Sequence, residues 1–80
     1  MAQDEKLFAS IRANPKAVRF ADACRAARLS GFVHDGGKGS HRVFKRKGET
    51  TQVNFQDREG FVPPYQARQL VRMIEKYGEA

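Results

Sequence analysis

The sequence has 80 residues, with 15 Lys and Arg against 9 Asp and Glu and a formal net charge of +6. Hydrophobic residues make up 40% and charged residues 30%, which excludes a disordered tail, while the length excludes a second domain. The excess of positive charge favours polyanionic partners, either nucleic acid or an acidic protein.

Three helices are predicted, two before and one after the middle of the chain. They are Asp4–Ala13, Phe20–Ser30 and Tyr65–Tyr77. Each carries an apolar stripe at helical spacing. The stripes are Leu7, Phe8 and Ile11; Phe20, Cys24 and Ala27; and Ala67, Leu70, Val71, Ile74 and Tyr77. Asn14-Pro15 ends the first helix, since the residue before proline avoids helical angles. Gly31 and Gly78 end the other two, Gly31 as a left-handed cap.

In the middle of the chain, the spacing of the apolar residues changes from that of helices to that of strands. The predicted strands are Phe32–Gly36, Ser40–Arg46 and Thr50–Phe55. Turns at Gly36–Gly39 and Lys47–Glu49 separate them, and Gln56–Val62 is a polar loop. We therefore predict one α+β domain over residues 1–80 in the order α-α-β-β-β-α, a three-stranded antiparallel sheet with helices on one face.

Alternation along the second strand divides its residues between two faces. His41, Val43 and Lys45 share one face; Arg42, Phe44 and Arg46 share the other. Phe44 predicts that its face meets the helices, with the two arginines extending to the margins. His41 and Lys45 then point outward. The opposite assignment, with Val43 inward, stays open because a bulge would change it.

The length of the hairpin loop decides what lies across from His41. A loop of two residues (Gly37-Lys38) or of four (Gly36–Gly39) pairs His34 with His41. Two imidazoles so close would resist double protonation. A loop of three residues breaks this pairing.

Five cationic residues and no acid lie between Gly36 and Gly48. Glycines let backbone N–H groups approach an anion. The candidate phosphate contacts are Lys38, Arg42, Lys45, Arg46 and Lys47. The alternative is a tight turn with a solvated strand edge that resists aggregation.

Histidine suits proton transfer because it titrates near neutrality. In RNA cleavage a base removes the 2′-hydroxyl proton and that oxygen attacks the adjacent phosphorus. An acid protonates the leaving 5′ oxygen, and cations stabilise the added charge. No metal is required. His41 beside cations and turn amides has these parts; the alternative is an ordinary surface histidine.

Other functional classes receive little support. Cys24 is the single cysteine and is predicted to be buried. With His34 and His41 it makes no convincing metal site, because structural zinc requires four ligands. No cofactor is expected. The N-terminus has no apolar run for a signal peptide or a membrane span, so we expect a cytoplasmic protein with no membrane partner.

The stretch LSGFVHDGGKGSHRVFKR resembles the HicA family of toxin ribonucleases. In that family a helix ends in a Gly-aromatic pair, a strand follows, and a Gly-Ser-His motif leads into the second strand. Here these elements are Gly31-Phe32 and Gly39-Ser40-His41. The later VNFQDREGFVPPYQARQLVRMIEKYG is similar to one branch of the family. The likeness covers Pro15–Gly78, so residues 1–15 form a helical extension to a core of residues 16–78.

This resemblance implies a fold like the double-stranded RNA-binding domain and metal-independent cleavage of mRNA. It also implies neutralisation by a HicB-type antitoxin that covers the active site. The catalytic histidine carries over to His41, with Gly39 and Ser40 shaping its turn and Ser40 available to phosphate. The expected RNA-binding residues are Lys38, Gly39, Ser40, Arg42, Lys45 and Lys47.

The sequence departs from the family pattern at two places. Arg42 stands where many members have a second histidine, and Asn54–Gln56 occupies the region of a Pro-His segment. The general acid is therefore unassigned, with Lys38, Arg42 and His34 as the first candidates for electrostatic help.

Two other functions stay open. One is a non-catalytic module that reads double-stranded RNA by shape, with Arg68 and Arg72 adding contacts. The other is a module that binds an acidic protein. Phe61, Tyr65 and Tyr77 are candidates either for packing or for exposed contacts with a partner or a base.

Overall fold

The computed structural model describes residues 3–78 and contains three helices and three strands, in an α+β arrangement. The elements are α1 (Gln3–Ala13), a 3-10 turn (Pro15–Ala17), α2 (Phe20–Leu29), β1 (Val33–Lys38), β2 (His41–Lys45), β3 (Val53–Gln56) and α3 (Pro64–Tyr77). The predicted fold class and the order α-α-β-β-β-α are confirmed. The helix limits agree with the predicted ones to within one residue.

The sheet has the order β1-β2-β3, and both neighbouring pairs are antiparallel. β1 continues to Lys38, two residues beyond its predicted end, and contains both Gly36 and Gly37. A bulge at Asp35 interrupts its pairing with β2, between His34 and Gly36. The predicted turn over Gly36–Gly39 is therefore wrong, because only Gly39 belongs to the connection.

The helices cover one face of the sheet, and the core lies between the two layers. Its largest fully buried side chains are Phe32, Phe44, Phe55, Leu70, Ile74 and Val53. Phe8 and Ile11 of α1 belong to the same cluster, so the N-terminal helix contributes to the core. Burial of each large apolar side chain contributes about 1.5–3 kcal/mol to the stability of the fold. The burial of Phe44 confirms the inward position predicted for it.

α2 ends in the predicted left-handed glycine. Gly31 has φ 89°, its N–H donates to the Arg28 carbonyl at 3.0 Å, and the Phe32 N–H donates to the Ala27 carbonyl at 3.0 Å. This is the Schellman pattern, which satisfies carbonyls that have no partner within the helix. The cap turns the chain so that Phe32 enters the core immediately before β1.

The segment predicted as a polar loop forms a second, small hairpin. Arg58 and Phe61 exchange backbone hydrogen bonds of 2.8 and 3.1 Å across a two-residue turn. The far side of this turn is bonded to the chain at the start of α2: the Phe20 N–H donates to the Gly60 carbonyl at 2.9 Å, and the Val62 N–H donates to the Val18 carbonyl at 2.9 Å. The connection from β3 to α3 therefore has a defined path.

Glu49 ties the connection between β2 and β3 to the end of α3. Its Oε1 accepts from Lys76 Nζ at 2.7 Å and from the Tyr77 hydroxyl at 2.6 Å, and its Oε2 accepts from the Thr51 N–H at 2.9 Å. These hydrogen bonds, with that from Lys76 first, lower the pKa of Glu49 to about 2. Tyr77 is half-buried and packs edge-on against Phe32 at 6.1 Å.

Candidate functional site

A two-residue turn, Gly39-Ser40, delivers the chain into β2 at His41. Lys38 and His41 are the last residues paired across the hairpin. Gly39 has φ 63°, whereas Ser40 is not in the positive-φ region, which matches a type II′ turn with glycine first. This turn sets the register of the hairpin, and with it the neighbours of His41.

His41 lies on the face of the sheet opposite the helices, which we call the outer face. The residues of the outer face are Val33, Gly36 and Lys38 on β1; His41, Val43 and Lys45 on β2; and Asn54 and Gln56 on β3. His41 and Lys45 are exposed and Phe44 is fully buried, so their predicted orientation is confirmed. His41 is on the central strand, where a substrate can contact it from the open side.

His34 does not pair with His41. It pairs with Phe44 and its ring lies 5.5 Å from the Phe44 ring, on the helix side of the sheet. The expected pairing is wrong because the turn is Gly39-Ser40 and because the bulge at Asp35 shifts the register. His34 is one of the candidates to stabilise charge at the site, but its side chain lies on the face of the sheet opposite to His41.

Arg42 and Arg46 also lie on the helix side, as the alternation predicts. The Arg42 guanidinium carbon is 5.6 Å from the centre of the Phe20 ring. The Arg46 guanidinium is 4.1 Å from the Tyr77 ring centre and donates from Nη1 to the Ser30 carbonyl at 3.2 Å. These cations pack against the core margin, and the structure does not bring Arg42 to the outer face beside His41.

The remaining predicted cations are spread along the hairpin. Lys38 is directly across from His41 and exposed. Lys45 forms a 3.0 Å salt bridge with Asp35, which the bulge turns toward it. Lys47 lies in the turn that follows β2, beyond the end of the strand opposite to His41. Lys38, Gly39 and Ser40 are thus the predicted RNA-binding residues that adjoin His41 and do not lie on the helix side.

Two polar residues from the other side of His41 complete this end of the outer face. Gln56 is the cross-strand partner of His41 on β3. The Arg58 Nη2 donates to Gln56 Oε1 at 3.1 Å, so a guanidinium lies beside β2, the strand that carries His41. We refer to Lys38, Ser40, His41, Gln56 and Arg58 as the His41 cluster. The sequence interpretation missed Gln56 and Arg58 because it ended the strand at Phe55 and assigned both residues to a polar loop.

A buried glutamine holds the β3 side of the cluster. Gln66 at the start of α3 is 5% exposed, and its Oε1 accepts the Gln56 backbone N–H at 2.8 Å. Its Nε2 is 3.4 Å from the Tyr65 hydroxyl. Tyr65 is 60% exposed, and Phe61 is 39% exposed with Arg19 against its ring at 5.5 Å. α3 thus fixes the strand that carries Gln56.

Residues 3–78 contain neither a membrane-spanning helix nor a cluster of metal-binding side chains. Within that range no helix is both long and apolar enough to cross a membrane, and no three His, Cys, Asp or Glu side chains are grouped to hold a metal ion. Cys24 is buried, as predicted, and that burial raises the pKa of its thiol against the opposing effect of Arg42 and Arg28.

Comparison of the chain with known protein families, with curated proteins and with solved structures found no match. The resemblance to the HicA family therefore depends on Gly39-Ser40-His41 and on the order of the elements, and it stays an expectation.

Proposed function

We propose that this protein is a ribonuclease of the HicA type that cleaves mRNA without metal and uses His41 for proton transfer. The observation that carries the proposal is the exposed imidazole of His41 on the central strand of an uncovered sheet face, with Lys38 across from it on β1. A histidine kept solvent-accessible next to a cation suits acid–base chemistry on a phosphodiester.

The proposed reaction is an internal transesterification. His41 takes the proton of the 2′-hydroxyl, the O2′–P bond forms and the P–O5′ bond breaks. The leaving 5′ oxygen takes a proton from water, which reaches the open face, and the product end is a 2′,3′-cyclic phosphate. Lys38, across from His41 on β1, stabilises the charge that develops on the phosphoryl oxygens.

The proposal includes inhibition by a HicB-type antitoxin. A protein that covers the outer face would exclude RNA from His41, and the net charge of +6 favours an acidic partner. The cytoplasm is the expected location, since both mRNA and such an antitoxin are there. Co-expression with the product of an adjacent small reading frame should relieve the growth arrest that this protein causes.

The test is cleavage of a long single-stranded RNA in EDTA by wild type, His41→Ala and His34→Ala. His34 is the matched control, because it is the other histidine and lies on the opposite face of the sheet. We expect wild type and His34→Ala to cut equally and His41→Ala to be inactive while it remains folded. Cleavage by His41→Ala at the wild-type rate would refute the mechanism.

A second candidate is a non-catalytic RNA-binding module. It is favoured by the exposure of Arg68 and Arg72 on α3, which adds two cations to the surface of the helix layer. This function predicts that wild type and His41→Ala bind RNA alike, lose it as salt rises, and form no product. The same EDTA experiment separates the two functions.

A further inference from the structure

Arg58 lies outside the strands, but its side chain returns to the outer face beside His41. His41 and Gln56 are directly opposite each other on β2 and β3, so their side chains project from the same face with Cβ atoms about 5 Å apart. The Gln56 Oε1 accepts a hydrogen bond from Arg58 Nη2 at 3.1 Å. The Gln56 side chain therefore lies between the Arg58 guanidinium and the strand that carries His41.

The backbone around Arg58 is fixed to the hairpin that carries His41. The Asp57 N–H donates to the Ser40 carbonyl at 2.7 Å, and this bond joins the residue before Arg58 to the residue before His41. On its other side, Arg58 pairs with Phe61 across a turn in which Asp57 Oδ1 accepts the Gly60 N–H at 2.7 Å. The position of Arg58 relative to His41 follows from these bonds and does not depend on a long loop.

Arg58 also has a charge that no acid in the described part of the chain pairs with, and unlike Arg42 its side chain lies on the outer face. The ion pairs found within residues 3–78 join Lys45 to Asp35 and Lys76 to Glu49, and neither includes Arg58. The guanidinium has five N–H donors in a planar fork, and the bond to Gln56 uses one of them. The others are available to an anion, and the fork geometry matches the oxygens of a phosphate.

We infer that Arg58 binds the phosphodiester of an RNA chain at His41, with Gln56 as the residue that positions it, opposite Lys38 on the other side of the imidazole. This inference rests on the proposed function and deepens it, because it supplies the cation that Arg42 and His34 cannot supply from the helix side. A phosphate held between Lys38 and Arg58 lies over the central strand, and its added negative charge is stabilised from two sides.

The test compares Arg58→Ala, Arg58→Lys and Gln56→Ala with Arg12→Ala, an exposed arginine of α1 in the helix layer. The first readout is single-turnover cleavage of RNA in EDTA. We expect Arg58→Ala to lose about 10- to 100-fold, less than the 10²–10³-fold typical of a donor in a closed site because this face is open. Arg58→Lys should recover part of the rate, and Gln56→Ala should lower it only while Arg58 is present.

The second readout needs no activity. It is binding of a fully 2′-deoxy oligonucleotide, which has no attacking hydroxyl, measured over a range of salt. Arg58→Ala should bind more weakly, and its plot of log affinity against log salt should be shallower by about 0.7, the loss of one phosphate contact on a single strand. Arg12→Ala should match wild type in affinity and slope, and unfolding curves should confirm that all variants are folded.

The two proposals fail in different ways. If wild type cleaves RNA and Arg58→Ala matches Arg12→Ala in both readouts, Arg58 has no role and this inference is overturned while the ribonuclease stands. If wild type does not cleave RNA, the proposed function is overturned, and the deoxy oligonucleotide still decides whether Arg58 contacts phosphate.

Discussion

Replacing Gly37 by alanine tests whether the close approach of β1 to the His41 backbone sets the geometry of the site. A Cβ on Gly37 would lie 2.2 Å from the His41 carbonyl oxygen and 3.1 Å from the Arg42 Cα. The first distance is about 1.3 Å shorter than a favourable contact of about 3.5 Å, so the strands must separate next to the proposed catalytic residue. Gly37 also has φ 73°, an angle that costs an L-residue about 1–2 kcal/mol.

Gly39→Ala is the matched control. Gly39 has φ 63°, and a Cβ there meets no atom within 4 Å, so its replacement carries only the backbone cost of about 1–2 kcal/mol. Gly37→Ala adds an overpacking cost of about 1–3 kcal/mol, which gives a total of about 2–5 kcal/mol. Urea unfolding of both variants measures this difference in stability, a readout that does not depend on the place of Gly39 in the proposed site. Equal stabilities for the two variants would show that the backbone contact at Gly37 does not constrain the hairpin.

Two other predictions concern charge. The pKa of Glu49 in the folded protein, about 2, is below its ordinary value of 4.5, so its stabilising effect is present above pH 4.5 and is lost as the pH falls toward 2. The gap in urea midpoint between wild type and Glu49→Gln should therefore shrink over that range, and a gap that is constant with pH would contradict the assignment. Asp35→Asn removes the acid paired with Lys45 and should tighten binding of a 2′-deoxy oligonucleotide about two- to fivefold at low salt. Glu75→Gln, which changes the net charge equally from an exposed position on α3, should have a smaller effect; equal effects would mean that only net charge matters.

The helices were predictable because their signals are local. Apolar spacing and the end signals at Asn14-Pro15, Gly31 and Gly78 act within a few residues, and the structure confirms them. The limits of β1 were not predictable in this way, because glycine is compatible with both a turn and a strand. The choice of Gly39-Ser40 as the turn comes from pairing across the hairpin and from the bulge at Asp35, which no local pattern specifies.

The same distinction separates the parts of the site. The outward direction of His41 follows from one local fact, the apolar character of Phe44 three residues later, together with strand alternation. The neighbours of His41 do not follow, since Lys38 and Gln56 are brought to it by the registers of two different strand pairs. The position of Arg58 depends on a further non-local feature, because a turn outside the sheet directs its side chain back to Gln56.

The register of β2 links the proposed activity to the stability of the fold. Phe44 fills the core and His41 faces the open side because they differ by an odd number of positions on one strand. A slip of one residue would expose Phe44, and removing a buried Phe side chain from a core costs about 3–5 kcal/mol. Such a slip would also bury His41 and bring Arg42 to the face that now carries the imidazole. The hydrophobic core therefore excludes the register in which the imidazole is hidden, and the orientation of His41 is maintained by packing on the opposite side of the sheet.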